Sequence, residues 1–463
     1  MKLTRNFILA GSILIFCSAI IDLNTLFNYA GQGQPNYIVK DNTPTGNAIS
    51  NGGATLGRVL FYDKKLSANN TIACASCHKQ AFAFGDTAKL SQGLYGQNTI
   101  RHSMRLVNAR FAVEQKFFWD ERVASLEIQT TKPIADHLEM GYSGLGGDPP
   151  IDTLIHKLQA LTYYQALFQH VYGNPQITEV KIQKALAQFI RSIQSFDSRF
   201  DQGLVQVGNV GAPFPNFTAQ ENQGKALFLL PPPQGAGCNG CHAVSEFDID
   251  PNTKNNGIIQ VAADSTQFDL SNTRAPSLRD LINPNGQPNG PMMHNGKFKQ
   301  VLSVINHYNS VPQNPANTNL DPRLMGPGGQ LQLTQVEKDA LAAFLKTLTG
   351  VAVYTAEQWS DPFDAQGNIT VSPFLSGIRE EKSREPVSFF PNPSKDWIQL
   401  KAPIGSYELS AYDAQGRLLL QTTLTNQDKL DVREFPEGVL FLKLYNLNTR
   451  RVSVSQIVIN RSL

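Results

Sequence analysis

The pattern Cys-x-x-Cys-His occurs twice, as Cys74-Ala-Ser-Cys77-His78 and as Cys238-Asn-Gly-Cys241-His242. Nothing else in the chain constrains its fold as tightly. Cysteines three apart share one face of a helical turn, and the next residue can swing its imidazole under a ring held by both sulfurs. This is the attachment pattern of a c-type haem: two thioethers fix the porphyrin and the histidine becomes the proximal iron ligand. The chain has 5 Cys and 8 His in 463 residues, and the two motifs use every cysteine except Cys17. A zinc site built from the four motif cysteines would leave both histidines unexplained and join pairs far apart in sequence. The motifs therefore imply two covalently bound c-type haems and leave no cysteine pair for a disulfide.

A chain of this length holds two or three domains. Its net charge of +2 gives no basis for a nucleic-acid partner. Lys2 and Arg5 precede the uncharged run Phe7–Ile21, which reads as a secretory signal over 1–22, with an uncleaved anchor as the alternative. Leu14-Ile15-Phe16-Cys17 lacks the small residues of a lipoprotein cleavage site, so Cys17 reads as an apolar signal residue. Export agrees with covalent haem attachment, which takes place outside the cytoplasm.

Periodicity predicts a mainly α protein with two cytochrome c-like helical haem domains, then a small C-terminal β-sandwich. Residues 22–50 are polar, rich in Gly, Pro and Asn, and read as a loose lead-in. The first haem domain spans 51–206. Apolar spacing predicts helices over Ala54–Phe61, Ser125–Thr131, Pro149–Val171 and Glu179–Phe200, and no strand alternation. Residues 201–217 read as a connector, and 207–352 form the second haem domain. Thr218-Ala-Gln-Glu221 caps a helix before the second motif, and Thr334–Leu348 forms a last helix that stops at Gly350. Helix, loop and motif follow in the same order before Cys74 and before Cys238, as in a duplicated unit. Residues 353–386 read as a linker. From 387 to 463 short β-type segments alternate with turns: Ile398–Lys401, Tyr407–Tyr412, Leu418–Thr423, Val439–Leu444 and Val452–Ile459.

Further motifs carry a family resemblance over roughly 54–350. Leu56-Gly57-Arg58-Val59-Leu60-Phe61-Tyr62-Asp63, Phe118-Trp119-Asp120-Glu121-Arg122, Glu139-Met140 and Met293-His294-Asn295-Gly296 resemble, in order, segments of the bacterial di-haem cytochrome c peroxidases. The same family includes the di-haem enzyme that matures methylamine dehydrogenase. The resemblance implies reductive cleavage of hydrogen peroxide by a cytochrome-c peroxidase-like oxidoreductase. His78 would serve the peroxide-reactive haem, and His242 the haem that receives electrons from a small donor protein, a cytochrome c or a cupredoxin, or from an organic reductant. Cleaving an O–O bond needs an open iron face, a proton carrier and polar support for the departing oxygen. Glu139 aligns with the family's distal glutamate, Gln129 with its distal glutamine, and Trp119 with the tryptophan between the haems. Read alone, Glu139 and Gln129 are solvated polar residues and Trp119 a core aromatic beside Phe117 and Phe118.

The departures from the family pattern matter as much. Where many members place a histidine that caps the resting peroxide haem, this chain has Leu94, which cannot bind iron. The first haem is thus expected to be five-coordinate or water-bound. His102 stands where the family has an asparagine that helps to hold calcium, and Asn289 replaces the usual threonine, with Pro291 retained. Calcium through the Asn289 and Pro291 carbonyls stays open, since carbonyl ligands depend little on side-chain identity. At the second haem the family's methionine ligand falls on Tyr308, as in the maturation enzyme. A phenolate stabilises ferric iron relative to ferrous. His307 is adjacent, but neighbours on a helix diverge by about 100°, so only one can face the iron. Met292, Met293 and Met325 are alternative ligands. His294 is expected beside the haem rather than on its iron.

The tail resembles the sorting domain of type IX secretion substrates, through Phe389-Phe390-Pro391-Asn392-Pro393-Ser394, Gly405-Ser406-Tyr407, Tyr412-Asp413, Gly416-Arg417 and Gly438-Val439-Leu440. A carbohydrate-binding sandwich fits less well, because no cluster of exposed aromatics is evident. The resemblance implies delivery by the type IX machinery to the cell surface or the medium, with the periplasm as the alternative. Three activities follow from the reading: a peroxidase, a di-haem oxidase of a protein or small organic substrate, and a non-catalytic electron-transfer cytochrome. A homodimer is allowed, as in family members.

Overall fold

The computed structural model describes residues 20–113, 116–249, 253–264, 266–372, 387–413, 417–426, 428–448 and 452–461. The signal expected over 1–22 therefore lies almost wholly outside the described residues. Among those, no helix is long and apolar enough to cross a membrane. The chain divides after Ser372 into two compact units.

The first unit is helical. Its elements in chain order are β1 (Ile20–Asp22), α1 (Asn51–Tyr62), α2 (Cys74–Cys77), α3 (Leu126–Thr131), α4 (Ile151–Gln159), α5 (Thr162–Tyr172), α6 (Glu179–Ser192) and α7 (Arg199–Val207). They are followed by α8 (Ala219–Leu229), β2 (His242–Ala243), β3 (Asp248–Ile249), α9 (Val301–Asn309), α10 (Gln335–Lys346) and β4 (Thr370–Ser372). Two apolar cores form inside it. One gathers residues from Ile21 to Ile193 with Val353 and Trp359, and the other gathers residues from Phe200 to Leu348.

Both cores are built on the same device. Gly57 of α1 lies so close to α6 that a Cβ there would meet the Ala185 carbonyl at 2.0 Å, with the Phe189 side chain beside it. Gly224 of α8 meets the Ala340 carbonyl of α10 at 1.9 Å, with Phe344 in the equivalent place. Each glycine is followed at the same spacing by Leu-Phe, and the phenylalanines pair across: Phe61 with Phe189 at 5.2 Å, Phe228 with Phe344 at 5.3 Å. A helix packs this closely only where a side chain is missing, so the Gly-x-x-Leu-Phe pattern fixes each helix pair.

Several expectations are corrected. The helix expected over Pro149–Val171 is two, because Leu161 is extended (φ −94°, ψ 121°) and turns α5 so that Tyr164, Leu167 and Phe168 enter the core. The helix expected over Glu179–Phe200 ends at Ser192. The strand-like Ile193 and Ser195 bond to Asn108 through its backbone and side chain. The connector expected from 201 begins as α7, which starts at a capping box of Ser198 and Asp201. Residues 22–50 are not loose: β1 pairs in parallel with β4, Tyr29 is buried, and Lys40 reaches Asp248 at 3.0 Å. Nor is the start of 353–386 a linker. Val353 and Trp359 are buried, and Tyr62 and Arg58 donate hydrogen bonds to the carbonyls of Trp359 and Ser360. The sequence signal was weak there because the segment folds onto a core built far upstream. Residues 373–386 lie outside the described residues.

The second unit is a small β-domain of β5 (Ser388–Phe390), β6 (Trp397–Lys401), β7 (Ser406–Tyr412), β8 (Leu418–Thr425), β9 (Lys429–Asp431), β10 (Gly438–Asn446) and β11 (Val452–Ile459). The four-stranded sheet runs β11-β10-β7-β8 and the three-stranded sheet β5-β6-β9. Alternate residues Tyr407, Leu409 and Ala411, and Leu440, Leu442 and Leu444, are buried in one core with Ile398 and Leu400 of the other sheet.

Candidate functional site

The first motif forms α2, a single turn that places Cys74 and Cys77 on one wall of a cavity of about 490 Å³. His78 follows at its end and points Nδ1 at the Phe84 carbonyl, 3.2 Å away. His242 does the same with the Pro276 carbonyl at 3.1 Å. A ring that donates from Nδ1 leaves Nε2 free as a metal ligand. Burial lowers the basicity of both rings, His242 to about 4, so both are held neutral as iron ligation requires. Pro276 itself lines the cavity of the first motif, so one segment touches both sites.

The cavity wall fits a haem on a further count. Arg105 lines it, is half-buried, and donates to the Ser277 carbonyl at 3.0 Å; its Nε is buried and has no partner among the described residues. Burial pulls this guanidinium below its usual value, while Tyr354 and Asp280 act against that shift. A half-buried cation with an orphan donor suits a ligand that carries carboxylates, as haem does. The sequence offered no signal for Arg105, a lone arginine in a loop.

Gln129 and Glu139 converge on this cavity with the motif. Gln129 comes from α3, which shows Leu126, Gln129 and Thr130 to the cavity at helical spacing. The opposite side of α3 is pinned to α6 by Arg191, whose guanidinium grips Glu127 at 2.5 and 3.1 Å. Glu139 sits on the loop beyond. Gly93 allows that loop in, because a Cβ there would meet the Leu138 carbonyl at 1.6 Å, and Leu94 N bonds the Glu139 carbonyl at 3.1 Å. Neither the Gln129 amide nor the Glu139 carboxyl has a protein hydrogen-bond partner among the described residues. Burial, with Asp136 nearby, raises the Glu139 carboxyl to about 7, and Arg122 opposes the rise. Leu94 does not line the cavity; it packs over Gly141, where an added Cβ would meet the Leu94 methyl at 2.3 Å.

Trp119 lines the cavity and sits where the two halves meet. Its indole N–H donates to the His102 carbonyl at 2.6 Å, its own carbonyl accepts from Arg274 at 2.7 Å, and its ring lies 6.3 Å edge-on from His294. His294 is buried, and neither ring nitrogen has a hydrogen-bond partner. His102 directs Nδ1 at the Ala88 and Lys89 carbonyls, 3.1 and 3.2 Å away, and its N–H donates to the His294 carbonyl. Asn289 spends its amide on the Asp280 carbonyl and the Tyr354 hydroxyl. Between Asn289 and Pro291, Gly290 lies directly against the Asp86 carbonyl and 3.7 Å from the His102 ring, measured from an added Cβ. Among the described residues no group of three or more His, Cys, Asp or Glu could hold a metal ion.

At the second motif, Tyr308 projects from α9 toward Cys241 and Cys238. Burial raises that hydroxyl well above the usual tyrosine value. His307 turns away and bonds the Asn256 carbonyl through Nε2 at 2.9 Å, as the helical offset predicts. Met292 packs in the apolar core and Met325 is 46% exposed.

Two motif histidines held for ligation and one shared cavity wall define a protein that carries two c-type haems in a duplicated helical frame. Residues 51–207 match the di-haem cytochrome c peroxidase family and residues 388–460 the secretion system C-terminal sorting domain. It is 27% identical over 316 residues to the methylamine utilization protein MauG of Methylophilus methylotrophus, covering 67% of this chain and 86% of that one. It is 25% identical over 308 residues to the cytochrome c551 peroxidase of Nitrosomonas europaea, covering 64% and 80%. A crystal structure of a MauG-like protein associated with microbial copper homeostasis superposes with a TM-score of 0.56 at 27% identity, over 71% of this chain and 98% of that one. The family implies an oxidoreductase with two c-type haems.

Proposed function

We propose that the protein is a di-haem peroxidase that reduces hydrogen peroxide to water with electrons from an external donor. Each peroxide takes up two electrons and two protons and leaves as two waters. The observation that carries this reading is the convergence of Gln129 and Glu139, both uncommitted to protein partners, on the cavity of Cys74, Cys77 and His78. The haems supply the iron that holds peroxide and a second store of electrons. Glu139, balanced near neutrality, accepts a proton from the nearer peroxide oxygen and returns it to the departing one. The Gln129 amide donates to that departing oxygen. Arg105 would pair with haem carboxylates, and Trp119 would supply an aromatic bridge between the halves. Tyr308 would hold the second haem and close it to external ligands. The cytochrome c551 peroxidase among the relatives supports this reading, and the sorting tail supports export through the type IX machinery to the surface or medium.

A second reading, oxidation of a protein or small organic substrate, is favoured by one observation: Tyr308 reaches toward the second motif, and a phenolate ligand makes ferric iron harder to reduce. The donor decides between them. Peroxide consumption is measured on holoprotein, wild type and Glu139→Gln, with a reduced cytochrome, a reduced cupredoxin or an organic reductant. The peroxidase reading expects turnover with at least one donor and a fall of about 10²–10⁴-fold in the variant. Equal rates in both proteins remove Glu139 from the chemistry.

A further inference from the structure

Asp248 is a buried carboxylate of the second half that lines the cavity of the first motif. It lies on β3, opposite Ala243 of β2. The lead-in brings a cation to it: the Lys40 ammonium lies 3.0 Å from Asp248 Oδ1 and 3.6 Å from Glu246 Oε2. The Lys40 side chain keeps 17% exposure, so the trio touches solvent at one edge and the cavity at the other.

One ammonium between two carboxylates leaves a net negative charge in a buried place. The two carboxylates are not equally held. Glu246 Oε1 also accepts the backbone N–H groups of Val39 and Lys40, at 3.1 and 3.3 Å. Asp248 Oδ2 is buried and has no hydrogen-bond partner among the described residues. A carboxylate short of donors is the one that takes up a proton. Burial raises the Asp248 carboxyl to about 6; Lys40 and Arg274 oppose the rise and Glu246 adds to it.

We propose that Asp248 couples proton uptake to reduction of the first haem. The electron comes from an external reductant and stays on the iron. The proton comes from solvent at the Lys40 edge and turns the carboxylate into the acid, so the charge of the site is unchanged; reoxidation releases both. The physical cause is that added negative charge raises the pKa of a nearby carboxyl, most strongly where water is excluded. The coupling needs only the haem and the trio, whether electrons pass on to peroxide or come from an organic substrate.

Spectroelectrochemical titration of the first haem in holoprotein, over a series of pH values, tests this. All proteins carry Glu139→Gln, which removes the other carboxyl raised in this cavity. With Asp248 intact, the potential is expected to be flat below about pH 6 and to fall as pH rises above it. Asp248→Asn is expected to lose that fall. Lys40→Met removes the opposing cation and is expected to move its onset to higher pH; this variant decides alone if the asparagine variant does not take up haem. A fall that survives Asp248→Asn, or an onset that Lys40→Met leaves in place, overturns the proposal. Lower stability in both variants with the fall intact would reduce the trio to an anchor for the lead-in, and overturns it as well.

Discussion

In the first half Gly57 seats α1 on Ala185 and Phe189, and in the second Gly224 seats α8 on Ala340 and Phe344, so the helix pair behind each motif is the same construction. What each construction surrounds is not. Beside His78 lie a glutamine and a glutamic acid whose side chains have no hydrogen-bond partner among the described residues, and a leucine folded away over Gly141. Beside Cys238 and Cys241 stands Tyr308, projecting from α9. Even the proximal histidines are anchored differently: His78 to Phe84, six residues on, and His242 to Pro276, which also lines the other cavity. A duplicated scaffold thus leaves its helix contacts nearly invariant, because a Cβ at either glycine collides with backbone. The loops facing the haem carry no such constraint and are where the halves diverge.

Each half also contains a buried arginine gripping a carboxylate, and breaking these separates site from scaffold. Arg279 is fully buried and holds Asp201 at 2.9 Å through two nitrogens, with Tyr37 donating to the same carboxylate. Arg191 holds Glu127 and so fixes α3. Arg279→Met is expected to cost about 3–5 kcal/mol in chemical denaturation, because it leaves the buried Asp201 without its cation, and Arg191→Met less, because Glu127 is half-buried and keeps Asn47 as a donor. Only the second should also impair peroxide turnover in the fraction that stays folded, since Gln129 rides on α3. Equal impairment by both would mean that the cavity does not depend on α3.

Gln129→Leu comes next in size. Loss of one donor to developing charge is expected to lower turnover about 10²-fold while the second-haem spectrum stays as in wild type. Smaller still are Gly57→Ala and Gly224→Ala, each expected to destabilise by about 1–3 kcal/mol through overpacking. The two should match if the halves are equivalent scaffolds, and thermal unfolding of both variants reads this directly.

The smallest effect is in pH. The Glu139 carboxyl is raised to about 7, so the folded protein holds its proton through a range where an ordinary glutamate has lost it. Stability from this group is full below the ordinary carboxylate pKa and is lost as pH rises toward about 7, because ionisation costs more in the folded state. Peroxide turnover should move the other way, rising with pH through the same window as the basic form appears. A pH–rate profile of wild type against Glu139→Gln checks this: the variant should lose that limb, and a shared limb would assign it to another group.

Much of this was legible in the sequence, and the rest was hidden for physical reasons. The two motifs, the caps at Thr218 and Thr334 and the alternation of β7 and β10 are local signals, and local energetics set them. Gln129, Glu139 and Trp119 could be placed only through the resemblance, since as residue types they look like surface or core positions. The breaks at Leu161 and Ile193 follow from which faces the distant core accepts. Arg105 gave no signal at all, because its significance lies in what it faces across the fold.

The central claim is that the two haems are unequal, the first open to an external ligand and the second closed by Tyr308. Titrating ferric holoprotein with a small iron ligand such as cyanide, followed by electron paramagnetic resonance, tests it most directly. The account predicts one high-spin signal that converts on binding and one low-spin signal that does not change. Two low-spin signals, both indifferent to the ligand, would contradict it.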